Sequence, residues 1–375
     1  MSKLKNSRLQ TFKYGELFCG PGGMSLGAKM ASVKKNGKEF KINHAWANDI
    51  DEDSCITYAE NICNGNHKTV HSMPVADFLG NGNFKKLSKI DAFGYGFPCN
   101  DFSIVGEHKG FNGSYGPLYT YGVKVIDHFK PRFFIAENVG GISSANGGNA
   151  FKTICNDLEK AGNGYVLTKH KYKAEYYGVP QRRHRIIIVG IDQNYGLKFM
   201  PPAPLNDEDG VMTAGMALGG KKIPKNSPNN EPFAMSKIVR ERLEHIKPWE
   251  NVWNADLPKR LQINAKSAKL SQIYRRLHKD KPSYTITGSG GGGTHGYHYD
   301  EPRPLTNRER AALQTFPNDY RFEGKTSSVR KQIGMAVPPK LAKVIFESVL
   351  KSFNKIEYKT VAPNLEKSIG LLNGI

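Results

Sequence analysis

Short apolar runs alternate with amphipathic segments through the first half of the chain. Apolar residues recur at helical spacing in two of these segments, around Leu26–Met30–Val33 and around Phe151–Ile154–Cys155–Leu158. Strand–helix alternation of this kind predicts an α/β fold with a doubly wound, mostly parallel sheet. The runs predicted as strands are mostly apolar throughout, as buried parallel strands are; they are 14–19, 44–49, 90–97, 132–137 and 184–190.

This regularity ends after Ile191. Residues 200–232 are rich in Pro, Asn and Gly, and a basic stretch and a glycine-rich run at 288–293 follow. Helical order returns where Thr306 and Glu309 have capping-box spacing, and a last amphipathic helix is predicted from Pro338 onward. The pattern therefore predicts an α/β domain over 1–192, a smaller irregular domain over 193–325, and a segment 326–375 that returns to the first domain.

The formal net charge of +20 changes the picture, because part of the excess is concentrated. Between residues 236 and 281, 12 basic residues stand against 5 acidic ones. Such a cluster favours a polyanion, since neutralising phosphates releases condensed counterions; a merely basic soluble protein is the alternative. No signal peptide is evident at the N-terminus, and no apolar run approaches the roughly 18 to 20 residues of a membrane helix. We expect a cytoplasmic protein without a membrane partner.

The cysteines predict a reducing compartment and no metal site. They form no CxxC pair, no Cys/His metal spacing and no disulfide framework. One of them could be a catalytic thiol; they are Cys19, Cys55, Cys63, Cys99 and Cys155.

Several polar residues each follow a predicted strand, where an α/β sheet binds its ligands. The turn 16–23 carries Gly20, Gly22 and Gly23 and opens a helix whose amides favour a carboxylate or phosphate. Asp49 closes the next strand, where a carboxylate can accept hydrogen bonds from ribose. A dinucleotide site or a simple tight turn is also compatible, although the Gly-x-Gly-Gly spacing argues against NAD.

Cys99 directly follows Pro98 at a strand end, in the run Gly-Phe-Pro-Cys-Asn-Asp-Phe-Ser. An ordinary thiol is mostly protonated at neutral pH, so a nucleophilic Cys99 needs local help; a buried structural cysteine is the usual alternative. Glu137 ends another apolar strand as an N-cap or a proton donor. Arginines lead into the strand at 184–190, and an arginine entering a buried strand requires an anionic or polar partner.

Together these motifs resemble the DNA (cytosine-5) methyltransferases of prokaryotic restriction–modification systems. Seven blocks occur in the family's order and cover both ends of the chain, leaving about 193–300 unmatched except for Thr285-Ile286 and the glycine-rich run. The blocks are 18–23, Asn48-Asp49, Pro98-Cys99, Glu137-Asn138-Val139, Gln181-x-Arg183-x-Arg185, the stretch from Arg303 to Pro317, and 332–339.

The resemblance implies a Rossmann-like domain that uses S-adenosyl-L-methionine to methylate C5 of a cytosine flipped out of duplex DNA. Cys99 would attack C6, Glu137 would act at N3, and Arg183 or Arg185 would face O2 or a phosphate, with Arg185 preferred for O2. The remaining residues implied as cofactor contacts are Phe18, Cys19, Gly20, Gly22, Gly23, Asp49, Ile50, Asp77, Phe78, Pro98, Met335 and Ala336. Those expected at DNA are Ser103, Gln181, Thr285, Arg275 and Arg276.

Three positions depart from the family pattern. Ile50 stands where an aromatic residue often stacks, Asn100 replaces a common Gln, and Met335 replaces the usual Asn, whose amide donors a thioether cannot supply. We expect a monomer that requires no metal. The alternatives are a tRNA cytosine-5 methyltransferase of the same family and a catalytically silent DNA-binding relative.

Overall fold

A computed structural model of the chain describes residues 10–80, 82–97, 118–143, 148–263, 271–288 and 293–365. These residues divide into two compact units. The first takes in the chain up to Lys173, then His184–Pro204, then the residues from Leu341 onward. The second consists of Ala174–Arg183 and Leu205–Lys340. Each unit is described by itself.

The first unit is built on one sheet of mostly parallel strands. Its strands are β1 (Gln10–Leu17), β2 (Ser32–Lys35), β3 (Lys38–Asp49), β4 (Val70–Ser72), β5 (Ala92–Gly96), β6 (Phe133–Val139), β7 (Tyr165–Lys173) and β8 (His184–Asp192). The order is β2-β3-β1-β5-β6-β8-β7, with β4 paired to β3. The pairs β1–β3, β1–β5, β5–β6 and β3–β4 are parallel. The pairs β2–β3, β6–β8 and β7–β8 are antiparallel.

Helices cover both faces of this sheet because successive strand residues point to opposite sides. On one face, Phe133 contacts Phe346 and Phe353 of the last helix, with ring centroids 6.5 and 5.8 Å apart. On the other face, Phe134 belongs to a buried cluster that includes Ile126 and Ile154. The helices are α1 (Gly23–Met30), α2 (Glu52–Ile62), α3 (Val75–Leu79), α4 (Tyr119–Phe129) and α5 (Asn149–Lys160).

The second unit has little regular structure. Its helices are α6 (Ala214–Leu218), α7 (Lys237–His245), α8 (Asn307–Leu313) and α9 (Thr326–Met335), and α10 (Pro339–Phe353) carries the chain back into the first unit. Thr306 and Glu309 form the expected capping box at the start of α8. Apolar side chains gather in two separate clusters, one around Leu277 and Tyr284 and one around Ile246 and Leu261.

The sheet confirms the predicted α/β class and the five predicted strands, with two corrections. Val33 was expected on the helix of Leu26 and Met30, but that helix ends at Met30 and Val33 lies in β2. The apolar run at 184–190 forms an antiparallel strand, not a parallel one, because β7 returns directly into β8. Among the described residues, no helix is long and apolar enough to span a membrane.

Candidate active site

The turn between β1 and α1 is built from residues in left-handed backbone conformations. Phe18, Gly20 and Gly22 have φ values of 54°, 50° and 89°. Glycine adopts this region freely, whereas Phe18 adopts it at a cost that surrounding structure must offset, a situation common at ligand sites. A Cβ added to Gly20 would meet no atom within 4 Å, so open space lies beside the backbone at this turn.

Asp49 at the end of β3 fixes this turn. Its Oδ2 accepts a hydrogen bond from the Gly20 N–H at 2.8 Å, and its Oδ1 accepts one from the Asp51 N–H at 2.9 Å. Burial raises the pKa of Asp49 above its ordinary range, and these two bonds oppose the rise. Each carboxylate oxygen has a second lone pair, which suits hydroxyl donors such as those of ribose.

The other predicted cofactor residues of the first unit fall into two groups. Ile50, directly after Asp49, exposes 71% of its surface. Asp77 is also exposed. Cys19 is buried, and burial raises the pKa of its thiol well above the usual value. Phe78 is buried as well and packs on Trp46, with ring centroids 5.8 Å apart.

Met335 and Ala336 stand at the end of α9 in the second unit. The side chain of Met335 is exposed, and that of Ala336 is buried. Their expected part in cofactor binding stays a prediction.

Glu137 and Arg185 form an ion pair between adjacent strands of the first unit. Glu137 lies near the end of β6, opposite Ile187, and Arg185 lies near the start of β8, opposite Val139. Two residues apart in register, the side chains share one face of the sheet, and Arg185 Nε lies 2.8 Å from Glu137 Oε1. Their side chains are 12% and 11% exposed, so the pair is largely shielded from water and from salt screening.

The end of β5 lies next to the Glu137–Arg185 pair. Gly96 stands opposite Glu137 in the register, and a Cβ at Gly96 would lie 3.1 Å from Glu137 Oε2. The Asn138 side chain donates a hydrogen bond to the Phe97 carbonyl at 3.1 Å. Oε1 of Glu137 thus faces Arg185, and Oε2 faces the strand that leads to Pro98-Cys99. Pro98, Cys99 and Ser103 lie outside the described residues.

Arg183 has a different environment from Arg185. It belongs to the second unit and is 2% exposed. Its Nη1 donates to the Ile286 carbonyl at 3.0 Å, and its Nη2 donates to the Gly334 carbonyl at 2.8 Å. The guanidinium therefore joins three separate segments of the second unit. Of the two arginines named from the sequence, Arg185 is the one paired with Glu137.

The residues expected at DNA also divide into buried and partly exposed ones. Gln181 is fully buried, and its amide bonds to the Gln314 side chain and to the Ile286 N–H. Arg276 is 7% exposed and donates to the carbonyls of His298, Leu243, Ile246 and Tyr299. These internal bonds satisfy polar groups of both buried side chains, and a contact of Gln181 or Arg276 with DNA stays a prediction.

Arg275 and Thr285 remain partly exposed. Arg275 lies against the rings of Trp249 and Tyr284, and the Thr285 hydroxyl donates to the Arg182 carbonyl at 2.7 Å.

A chain of buried polar side chains begins on β1, beside the turn between β1 and α1, and the sequence motifs do not predict it. Glu16, 1% exposed, accepts a hydrogen bond from the Ser25 hydroxyl, which also contacts the Tyr58 hydroxyl. Tyr58 in turn contacts His44 Nδ1 at 3.1 Å, and His44 Nε2 contacts Thr69 at 2.8 Å. Burial raises the pKa of Glu16 to about 8. The sequence does indicate a buried carboxylate here, since the alternation of β1 places Glu16 on the same buried face as Phe12 and Tyr14.

Comparisons with known proteins identify relatives over almost the whole chain. The sequence matches the family described as C-5 cytosine-specific DNA methylase over residues 12–351. It is 56% identical to the Type II methyltransferase M.BbvI of Brevibacillus brevis over 93% of this chain and 94% of that protein. It is 37% identical to M.NgoFVII of Neisseria gonorrhoeae, covering 93% and 89% of the two chains.

The fold has solved counterparts. A prophage-encoded protein of E. coli, described as a DNA modification methyltransferase, superposes with a TM-score of 0.67 at 23% identity, over 92% of this chain and 99% of that one. At that identity the likeness concerns the fold. The family match and the identity to curated relatives go further: this chain belongs to the C-5 cytosine-specific DNA methylase family and is a DNA (cytosine-5-)-methyltransferase.

Proposed function

We propose that this enzyme methylates cytosine within one specific sequence of duplex DNA, as the modification enzyme of a type II restriction–modification system. Two relatives support this proposal: both are named Type II methyltransferases, and the similarity to this chain extends over almost their whole length. The observation that carries the chemistry is the Glu137–Arg185 pair at the end of β6, beside the strand that leads to Cys99.

Cytosine C5 is a poor nucleophile, so the ring must first be activated. Cys99 adds as a thiolate to C6, and the Glu137 carboxyl acts at N3, where negative charge develops. Oε2 of Glu137 faces the β5 end, the direction from which the chain reaches Cys99 two residues after Phe97. Arg185 holds the other oxygen and offers its remaining N–H groups to the base O2.

The residues of the first unit fit S-adenosyl-L-methionine. The open space beside Gly20 admits a ligand against the backbone, Asp49 accepts hydroxyl donors, and exposed Ile50 offers an apolar surface to a base. Bound there, the cofactor supplies an electrophilic methyl group. C5 would take that methyl as the bond between the methyl carbon and the cofactor's sulfur breaks, which releases S-adenosyl-L-homocysteine. The C5 proton then leaves to a base, and the electron pair of that C–H bond restores the C5–C6 double bond and expels the Cys99 thiolate from C6.

A cytosine stacked inside a duplex is out of reach of such a site, so we infer that the target base is flipped out. The cost of unstacking, a few kcal/mol, is recovered by contacts in the pocket. We assign recognition of the DNA sequence to 193–325, where the basic stretch 236–281 lies.

Genomic sequencing tests the proposal. The gene would be expressed in a host without cytosine methylation, and bisulfite sequencing would map the modified bases. We expect complete methylation at one short motif and none elsewhere. Exchange of 193–300 for the corresponding segment of a relative should move methylation to another motif. Methylation of tRNA without methylation of duplex DNA would refute the proposed substrate.

A further inference from the structure

Three basic side chains surround one tryptophan in the second unit. The charged groups of Arg275, Lys281 and Arg182 lie 4.6, 5.1 and 5.7 Å from the centroid of the Trp249 ring. Arg182 and Lys281 are exposed, whereas Arg275 and Trp249 are partly exposed. We call these four residues the Trp249 cluster.

The backbone at Trp249 is held in an unfavourable conformation. Its φ is 75°, a left-handed value that is rare for a bulky side chain. The Trp249 N–H donates to the carbonyls of Arg276 and Leu277 at 3.2 and 3.3 Å, which keeps the residue in place. Strain maintained by surrounding bonds commonly marks a functional position, because it fixes one side-chain direction.

The positive charges of the cluster are not neutralised within the described part of the chain. There, Arg182, Arg275 and Lys281 form no ion pair with a carboxylate, and the Nε of Arg275 is buried without a hydrogen-bond partner. Other arginines of the same unit do have such partners: Arg260 pairs with Glu241, and Arg303 pairs with Glu309. Three like charges around one ring repel one another unless an anion lies among them.

We propose that the Trp249 cluster binds the phosphodiester backbone of the substrate duplex and does not read its bases. The Arg275 guanidinium lies over the rings of Trp249 and Tyr284, at 4.6 and 5.1 Å, so it packs on aromatic rings instead of extending as a base-reading arginine does. Three cations around one ring instead suit the continuous negative charge of a phosphodiester backbone. The inference rests on duplex DNA as the substrate and gives the cluster a sequence-independent part in holding it.

The salt dependence of binding tests this assignment. Binding of the full-length enzyme to a 30-base-pair duplex would be measured over a range of KCl concentrations, with and without the methylated motif. Each phosphate contact contributes about 0.9 to the slope of log K against log salt. Arg182→Gln and Lys281→Gln should each lower that slope by about 0.9 and weaken both duplexes by the same factor. The preference for the motif should stay unchanged.

Arg260→Gln is the matched control. It removes the same charge from an exposed arginine of the same unit, but Glu241 already neutralises that arginine. The slope of log K against log salt measured for Arg260→Gln should equal that of the wild type. Trp249→Ala should weaken binding while leaving all three cations in the sequence, and Trp249→Phe should restore most of the loss. Melting temperature and S-adenosyl-L-methionine affinity would verify that each variant is folded.

An unchanged slope in Arg182→Gln and Lys281→Gln would overturn the inference, and so would either of two further results. One is a slope that falls equally in Arg260→Gln, since only net charge would then matter. The other is a change in the methylated motif in any cluster variant, since the cluster would then read bases. Neither result touches the proposed function. A wild-type enzyme that binds RNA in preference to duplex DNA would instead remove the substrate on which both proposals rest.

Discussion

Arg185 Nε donates a hydrogen bond to Glu137 Oε1 at 2.8 Å, whereas the guanidinium of Arg183, two residues earlier, donates to two backbone carbonyls. Alternation along an extended chain would place the two arginines on the same side, yet the chain passes from the second unit to the first between them. One motif therefore supplies an arginine that bonds to backbone carbonyls and an arginine that pairs with Glu137.

The two arginines should respond differently to the same substitution. Arg183→Gln removes two charge-assisted hydrogen bonds and leaves the Ile286 and Gly334 carbonyl oxygens without a donor. We expect this to lower the free energy of unfolding by about 2–4 kcal/mol. Arg185→Gln should lower kcat at least about 100-fold with a smaller loss of stability. Urea unfolding and methylation rates on one duplex would measure both. Equal loss of activity at equal stability would contradict the division of roles.

Gly96 should be required for the position of Glu137. A Cβ there would lie 3.1 Å from Glu137 Oε2, closer than ordinary van der Waals contact, so the carboxylate must shift. Gly96→Ala should lower kcat about 10- to 100-fold, because small displacements of a catalytic group are costly. The control is Gly140→Ala, whose Cβ would meet only the flexible Lys171 side chain at 3.5 Å. Cofactor affinity should change in neither variant.

The sequence predicts the sheet better than it predicts which polar residues are exposed and which bond inside the protein. Apolar runs identify β1, β3, β5, β6 and β8 because burial on both faces leaves an unambiguous pattern. β7 was missed, since Lys and His residues alternate with its apolar ones.

Motif position likewise cannot separate Arg183 from Arg185, or Arg275 from Arg276. In each pair the outcome depends on carbonyls far away in sequence, such as Gly334 for Arg183 and Tyr299 for Arg276. Glu16 is not predicted because its partners Ser25 and Tyr58 lie on other elements and meet it only in the fold.

Glu16 should make the enzyme less stable as pH rises. Its ordinary pKa of 4.5 is raised by burial to about 8, so between these values the folded state retains a proton that the unfolded state has lost. Stability from this group therefore falls as pH rises from about 4.5 to 8. Glu16→Gln keeps an acceptor for Ser25 but cannot ionise.

The denaturant midpoint should accordingly fall less between pH 5 and pH 8 in Glu16→Gln than in the wild type. Histidines such as His44, whose pKa burial lowers to about 4, contribute an opposite trend below pH 6.5. They are present in both proteins, so the difference between the two curves isolates Glu16. Identical pH profiles would show that Glu16 is ionised in the folded enzyme.

Both carboxylate oxygens of Asp49 should contribute to the affinity for S-adenosyl-L-methionine. Asp49→Asn places an amide N–H against the N–H of Gly20 or of Asp51, which must disrupt one of the two bonds. We expect the Kd for S-adenosyl-L-methionine to rise at least about tenfold, measured by calorimetry without DNA. Asp77→Asn provides the comparison, since Asp77 is exposed and is the other carboxylate implied as a cofactor contact. An unchanged Kd in Asp49→Asn would exclude Asp49 from the cofactor site.

The covalent step should be visible with a duplex that carries 5-fluorocytosine at the target. If Cys99 adds to C6 and C5 takes the methyl, fluorine cannot leave C5 as a cation, so the bond to Cys99 cannot break. A denaturant-stable adduct should accumulate, and only with S-adenosyl-L-methionine present. Cys99→Ser should form none, because a hydroxyl is far less acidic than a thiol. Glu137→Gln should form the adduct much more slowly at unchanged cofactor affinity, since its loss falls on the transition state. Cys155→Ser is the matched control, because Cys155 is buried on α5 and should be dispensable. An adduct that persists in Cys99→Ser, or a methylating wild type that is never trapped, would exclude Cys99 as the nucleophile.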